Sequence, residues 1–185
     1  MSVKQMINFG PSRYPEADSQ QSGGTCHITI ASVTAPSPSA DIVEMLDPAA
    51  LVNCVDEEVG HFCQSSELPE DFSAKEPNRR ELLGVLTFAY ARRVYDSEEI
   101  AHRCQTEAMF QRLCNGHTPF TSELIRFRRH YRPLLVTVLA NVMMRASETV
   151  LNEPNPSSNA ALKRQLLCQA TARLDTARHL DSGSE

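Results

Sequence analysis

Residues 82–91 constrain the fold of this 185-residue chain most strongly, because as a helix they would be apolar on nearly every side. Leu82, Leu83, Leu86 and Phe88 point in different directions around a helix of 3.6 residues per turn. A helix without a polar side has to be surrounded by other elements. The stretch therefore predicts a central core helix inside a multi-helix bundle.

Helical periodicity also occurs on both sides of this segment. The further segments, in chain order, are residues 47–62, 96–104, 106–113, 121–132, 134–150 and 160–180. Asn78, Asp96 and Thr106 are the expected caps of the second, third and fourth helices, and Asp96 with Glu99 resembles a capping box. The first helix is expected to start at Asp47-Pro48, where proline suits a first turn. We therefore expect an all-α fold, a compact multi-helix bundle with an amphipathic C-terminal helix.

Composition divides the chain into four parts. Residues 1–40 contain a Gly-Gly pair and a Pro-Ser-Pro-Ser run, which predicts a flexible leader with at most one weak strand, at 26–34. The helical domain is expected at 41–150, a linker at 151–159, and the C-terminal helix and tail at 160–185. That last helix is expected either to dock on its own domain or to form a dimer seam.

The net charge of −5 is distributed unevenly along the chain. Residues 1–76 hold 3 Lys/Arg against 12 Asp/Glu, residues 77–145 hold 11 against 6, and residues 146–185 hold 4 against 5. Only the middle segment has an excess of positive charge. This asymmetry indicates a polyanion-facing region within an otherwise acidic chain.

Membrane and secreted classes are disfavoured by the apolar pattern. The longest apolar run, 134–144, is interrupted by Thr137 and Asn141 and is too short to cross a bilayer. The amino terminus has neither a basic nor an apolar signal region. We therefore expect a cytoplasmic protein without a membrane partner, whose six scattered cysteines stay reduced.

Catalytic and metal-binding patterns are weak. His102, Cys104, Cys114 and His117 contain ligand types that bind zinc, but their spacing fits no zinc-finger pattern. A cysteine nucleophile paired with His130 lacks any local context that would lower the pKa of a thiol. No glycine-rich phosphate loop is present. We expect no metal site, no cofactor and no catalytic residue.

The most informative stretch is 122–132, SELIRFRRHYR. As a helix it places Leu124, Phe127 and Tyr131 on one side and crowds arginines over the remaining surface. Asn-Gly and Pro in residues 115–120 predict a turn before it. Short helices, a turn and an arginine-rich helix are typical of a helix-turn-helix, whose second helix enters the major groove. The alternative is a solvated arginine face on an ordinary bundle helix.

Several segments in the same order resemble one known family. They are residues 81–101 (ELLGVLTFAYARRVYDSEEIA), Cys104, residues 110–113 (FQRL) and residues 124–130 (LIRFRRH). Together they are similar to the amino-terminal domain of insertion-sequence DDE transposases, the IS-five-like group. With the first helix included, the resemblance covers about residues 45–140.

This resemblance implies a helical domain that binds the terminal inverted repeats of a mobile element. The expected partners are double-stranded DNA and either a second copy of the chain or a transposase catalytic subunit. The family continues into a strand-rich catalytic domain with three metal-binding carboxylates, which has no counterpart here, so we expect no enzyme activity. Two further departures are Glu123, where the family usually has Thr, and Leu113, which lacks a preceding aromatic residue.

The arginine fork suits phosphate and guanine edges, so arginines are the expected DNA contacts. The main candidates in the arginine-rich helix are Arg126, Arg128, Arg129 and Arg132. The flanking candidates are Arg92, Arg93, Arg103 and Arg112. The alternative function is a helical protein-interaction or regulatory module that kept the fold without binding DNA, which the acidic first third of the chain favours.

Overall fold

The computed structural model describes residues 42–65, 72, 78–151 and 160–182. Within these ranges every secondary-structure element is helical, so the predicted all-α bundle is confirmed. The elements are the 3-10 helix Ile42–Met45, α1 Pro48–Gln64, α2 Arg79–Ala91, α3 Ser97–Thr106, α4 Ala108–Cys114, α5 Thr121–His130, α6 Arg132–Leu151 and α7 Ala160–Ser182.

Some predicted parts lie outside the described residues. These are the leader at 1–40 with its weak strand at 26–34, and linker positions 152–159. The predictions for them stay predictions. In the described ranges, no helix combines the length and the apolar character needed to cross a membrane.

The central helix of the bundle is α2, as its apolar pattern predicts. Every residue from Leu82 to Ala91 is buried, and the helix contacts α1, α4, α5 and α6. The other main core helix is α6, which buries Leu135 and Leu139 completely and contacts α1, α2 and α7. Because these two helices hold most of the core, they fix the positions of the shorter helices that carry the arginines.

The C-terminal helix α7 docks on α6 of the same chain. It also buries Arg173, whose Nη1 donates to the backbone carbonyls of Tyr90 and Ala91, each at 2.9 Å. These carbonyls end α2, where a helix leaves acceptors unsatisfied and favours positive charge. The buried apolar stripe of α7 consists of Leu166, Ala170, Leu174 and Ala177. Of the two arrangements expected for this helix, docking is the one observed.

The predicted helix start at Asp47 and one of the three predicted caps, Asp96, have the expected geometry. The Asp96 carboxylate accepts from the N–H of Glu98 at 3.3 Å, which caps α3. The Asp47 carboxylate accepts from the N–H groups of Ala49 and Ala50 at 3.0 and 3.3 Å, which caps α1. Asn78 precedes α2, but its left-handed backbone (φ 70°) prevents the usual side-chain cap. The Thr106 hydroxyl instead donates to the carbonyl of His102 within α3, so the predictions for Asn78 and Thr106 are wrong.

Candidate nucleic-acid interface

Two residues with positive φ build the turn before α5. Asn115 has φ 48° and Gly116 has φ 84°, and the His117 N–H donates to the Cys114 carbonyl at 2.8 Å. Asn and Gly tolerate this left-handed backbone better than other residues. The chain therefore turns within 115–120 as the sequence predicts, and α4, the turn and α5 follow one another in helix-turn-helix order.

Glu123 closes the first turn of α5. Its Oε2 accepts from the Phe120 N–H at 2.9 Å, while the Phe120 carbonyl accepts from the Glu123 N–H at 3.0 Å. The same carboxylate oxygen lies 3.6 Å from His117 Nε2. A carboxylate in this position satisfies a backbone donor that the helix start would otherwise leave unpaired. The negative charge of Glu123 is therefore used within the helix start.

The inner face of α5 is fixed by aromatic packing. Leu124, Phe127 and Tyr131 are buried, as their spacing predicts. Phe72 makes edge-to-face contacts with Phe127 and Tyr131, with ring centroids 6.4 and 5.2 Å apart. Such contacts orient the rings as well as burying apolar area. The rotation of α5 is consequently set, and with it the residues that face outward.

Arg128 is inside the fold, which corrects its assignment as a DNA contact. Its side chain is 3% exposed and forms an ion pair with Asp181 of α7. Its Nη1 also donates to the Tyr90 hydroxyl at 3.0 Å and to Ser97 Oγ at 3.3 Å. Burial raises the pKa of Tyr90, an effect that the neighbouring Arg128 opposes. Arg128 therefore links α5 to α2, α3 and α7 and cannot meet an external polyanion.

Arg132 also pairs with α7. Its Nη2 lies 2.6 Å from Oδ1 of Asp175, with both side chains partly exposed. α5 packs against α2, α3 and α6, and α7 supplies the carboxylates for both arginines. Two of the four main candidates, Arg128 of α5 and Arg132 at the start of α6, therefore form ion pairs within the chain.

Three of the four flanking candidates also have carboxylate partners. The pairs are Arg93–Glu44 at 3.3 Å, Arg103–Glu107 at 3.2 Å and Arg112–Asp56 at 3.3 Å. Exposed pairs of this kind contribute only about 0–1 kcal/mol, but each carboxylate cancels positive charge locally. Arg92 is exposed and has no side-chain partner among the described residues.

The remaining candidates of α5 form one exposed surface, which we call the α5 cationic face. Ser122, Ile125, Arg126, Arg129 and His130 line an open depression of about 460 Å³. The side chains of Arg126, Arg129 and His130 are exposed. In the described part of the chain, Arg126 has neither a hydrogen-bond nor an ion-pair partner. The α5 cationic face is therefore the exposed part of the cationic surface that the sequence predicts for this helix.

A second concavity, the α2–α5 groove, lies beside this face and has a volume of about 410 Å³. The Arg79 guanidinium lies over the Tyr131 ring, 5.5 Å from its centroid. The groove and the cationic face share Arg126 and His130, so the two concavities are contiguous. The groove is lined by Asn78, Arg79, Leu82, Glu123, Arg126, Phe127, His130 and Tyr131.

Two residues of this region are not among the candidates that the sequence suggests. Arg79 belongs to the first turn of α2 and meets α5 only through tertiary packing, so no local pattern marks it. Phe120 immediately precedes α5 and is 72% exposed. A polar residue is usual at that position, and an aromatic residue there is a signal that the sequence does offer.

The two cysteine candidates Cys104 and Cys114 lie next to each other and are buried. Their shared side-chain hydrogen bond raises the pKa of the Cys104 thiol and lowers the pKa of Cys114. The Cys104 thiol is therefore held in its protonated form, which is a poor nucleophile. Among the described residues, no group of three His, Cys, Asp or Glu side chains could hold a metal ion.

Comparison of the chain with protein-family models, with curated proteins and with solved structures gives no match. The resemblance to transposase amino-terminal domains therefore stays a prediction. The α5 cationic face and the groove beside it are the features of the structure that bear on function.

Proposed function

We propose that this chain binds double-stranded DNA through the α5 cationic face. The observation that supports this most directly is the exposure of Arg126, Arg129 and His130 along one side of a helix whose other side is fixed in the core. In line with the transposase resemblance, the proposed target is the terminal inverted repeat of a mobile element. The role is one of binding, with strand transfer left to a transposase catalytic subunit as partner.

The dimensions of α5 suit this role. Ten residues make a helix about 15 Å long, and the major groove of B-DNA is about 12 Å wide and admits one helix. Arg126 and Arg129 are three residues apart, so they project from adjacent turns on one side. Each presents a planar fork of donors that fits a phosphate or a guanine edge in two parallel hydrogen bonds.

The buried contacts of α5 support binding indirectly. The ion pair between Arg128 and Asp181 and the packing of Phe127 and Tyr131 hold the helix in one orientation. A rigid helix loses less conformational entropy when it docks in a groove. In this arrangement Arg128 positions the helix, and Arg126 and Arg129 contact the DNA.

The double variant Arg126→Ala with Arg129→Ala tests the proposal. Affinity for DNA falls as salt rises, and each lost phosphate contact makes the slope of log affinity against log salt concentration shallower by about 0.9. The slope of the double variant should therefore be shallower by about 1.8. The measurement is a gel-shift titration of random-sequence duplex at several salt concentrations. Random-sequence duplex is a suitable probe because contacts to phosphates do not depend on sequence.

The matched control is Lys163→Ala with Arg164→Ala, which removes the same two charges from exposed positions on α7. This variant should keep the slope of the unaltered chain. Equal slopes for all three proteins would remove Arg126 and Arg129 from the interface.

A protein-interaction module is the second candidate function. It is favoured by the large exposed side chain of Phe120 and by the acidic residues of α1 that neutralise Arg112 and Arg145. A module of this kind should retard no duplex even at low salt. The same gel-shift titration of the unaltered chain therefore separates the two functions.

A further inference from the structure

We infer that Phe120, the residue immediately before α5, contacts thymine methyl groups in the major groove of the bound duplex. The inference rests on the proposed function, and it adds a residue that reads bases to arginines that suit phosphates. Its starting point is an aromatic side chain that is 72% exposed at the end of the proposed DNA-binding helix. A contact of this kind would favour A·T pairs at one position of the bound sequence.

The backbone of Phe120 is held in place. Its N–H donates to Glu123 Oε2 at 2.9 Å, and its carbonyl accepts from the N–H groups of Glu123 and Leu124 at 3.0 and 3.2 Å. The preceding residue, Pro119, is buried. The point from which the ring projects is therefore fixed, and little more than the freedom of the ring itself is lost when it binds.

An aromatic side chain is unusual at this position. Ser, Thr, Asp and Asn are preferred before a helix, because their side chains accept from its free N–H groups. Phe120 has no side-chain acceptor, and the carboxylate of Glu123 completes the helix start instead. The ring also buries little of its area within the fold, although burial is what stabilises a large apolar side chain. Its burial therefore has to come from a partner outside the chain.

Phe120 belongs to the N-terminal end of α5, where the α5 cationic face also begins. Ser122, which lines that face, is two positions further along the chain, and Arg126 follows one helical turn later. In a helix-turn-helix, the first residues of the second helix contact base edges in the major groove. Docking of α5 in this way brings the Phe120 ring to the bases, while Arg126 and Arg129 reach the strand.

The chemistry of the major groove selects the thymine methyl group as the partner. The base edges there present hydrogen-bond donors and acceptors, and the C5-methyl group of thymine is the apolar feature among them. A phenyl ring packed on a donor or acceptor would leave that polar atom without a partner, which is costly. The contact between the ring and the methyl group buries apolar area on both sides and leaves no polar atom unpaired.

The surroundings of the Phe120 ring favour DNA over a protein partner. The next two side chains, Thr121 and Ser122, are polar, and a protein interface is built around a contiguous apolar core. Among the described residues, the other large apolar side chains that are exposed, Met45 and Leu180, belong to the 3-10 helix and to α7. A single ring beside exposed arginines matches a polyanion that carries apolar groups.

The test removes the methyl groups from the DNA and the ring from the protein. Two duplexes of the same alternating adenine–thymine sequence are compared, one of which has deoxyuridine in place of thymidine and so lacks the C5-methyl groups but keeps the phosphates. In gel-shift titrations the unaltered chain should bind the thymine duplex about fourfold more tightly, as expected for burial of one methyl group. Phe120→Ala should bind both duplexes equally, with an unchanged salt slope because no phosphate contact is lost.

Two further variants are the controls. Phe120→Leu keeps an apolar side chain at the same position and should retain most of the preference for thymine. Met45→Ala removes a comparably exposed apolar side chain, 65% exposed, from the 3-10 helix and should retain all of it. Because these positions are exposed, urea unfolding should give closely similar midpoints for all variants.

A tryptophan probe follows the ring directly. The chain contains no tryptophan, so Phe120→Trp carries a single indole whose fluorescence reports its surroundings. The emission should change progressively as the thymine duplex is added. The emission of Met45→Trp, on the 3-10 helix, should stay the same.

The outcomes separate this inference from the proposed function. A preference for thymine that disappears in Phe120→Ala supports the contact. Duplex binding with the same preference, or none, in both proteins overturns the contact and leaves the proposed function standing, as does unchanged emission of Phe120→Trp at saturating duplex. No binding to either duplex overturns both, and emission that then depends on the concentration of Phe120→Trp would identify a second copy of the chain as the partner of the ring.

Discussion

Replacing Arg128 by methionine is expected to lower the free energy of unfolding by about 3–5 kcal/mol. The substitution removes the cation that pairs with Asp181 and leaves that carboxylate buried, with Ser97 as its remaining hydrogen-bond partner. It also removes the donor to the buried Tyr90 hydroxyl. Urea denaturation followed by circular dichroism measures the loss, which is a large part of the about 5–15 kcal/mol that stabilises a typical domain.

Two further variants test whether the lost ion pair causes this decrease in the free energy of unfolding. Arg129→Met makes the same chemical change at the exposed neighbouring position and should alter stability by about 0.5 kcal/mol or less. Combining Arg128→Met with Asp181→Leu should recover most of the loss, because an apolar pair can replace a buried ion pair at little cost. If Arg128→Met unfolds at the same urea concentration as the unaltered chain, the buried ion pair is not part of the fold in solution.

Removal of residues 152–185, which deletes α7, is expected to abolish cooperative folding. The deletion exposes the face of α6 that Leu166 and Leu174 cover, and each buried leucine contributes about 1.5–3 kcal/mol. It also leaves Arg128 without its carboxylate and the carbonyls at the end of α2 without Arg173. These losses together approach the whole stability of a typical domain.

Thermal denaturation followed by circular dichroism measures this effect. The deleted chain should show no sigmoidal transition, whereas a chain that lacks only residues 183–185 keeps all of α7 and should melt as the full chain does. A cooperative transition of the deleted chain at the full-length midpoint would mean that residues up to 151 fold independently and that α7 is an accessory.

Much of the fold could be predicted from the sequence, because helix formation and burial leave local patterns. The apolar residues 82–91 form the central helix, Asp47 caps α1, and Leu124 and Phe127 face inward as their spacing requires. A helical pattern gives the relation of a residue to its own helix. It does not say how many sides of that helix other elements will cover.

The candidate site was harder to predict for that reason. Periodicity places Arg128 opposite an apolar stripe, but its partner Asp181 is 53 positions away, on α7. Arg79 and Arg126 meet in one groove across a similar separation. Such contacts form only when the helices pack, and no spacing within either helix indicates them.

The local charge count is misleading for a related reason. The arginine excess of residues 77–145 suggests a broad cationic region, yet Asp56 of α1 pairs with Arg112 and Asp175 of α7 pairs with Arg132. Carboxylates from the acidic segments therefore reduce the positive surface. Among the candidate arginines, the two of the α5 cationic face and Arg92 remain exposed.

The most direct test of DNA binding by α5 is NMR mapping of the full-length chain with a short duplex at low salt. The side-chain signals of Arg126 and Arg129 should shift progressively on titration. The signals of Arg128, buried against Asp181, and of Arg164 on α7 should stay in place. Shifts confined to α1 or α7, or no shift at saturating duplex, would contradict the assignment of α5 as the DNA-binding helix.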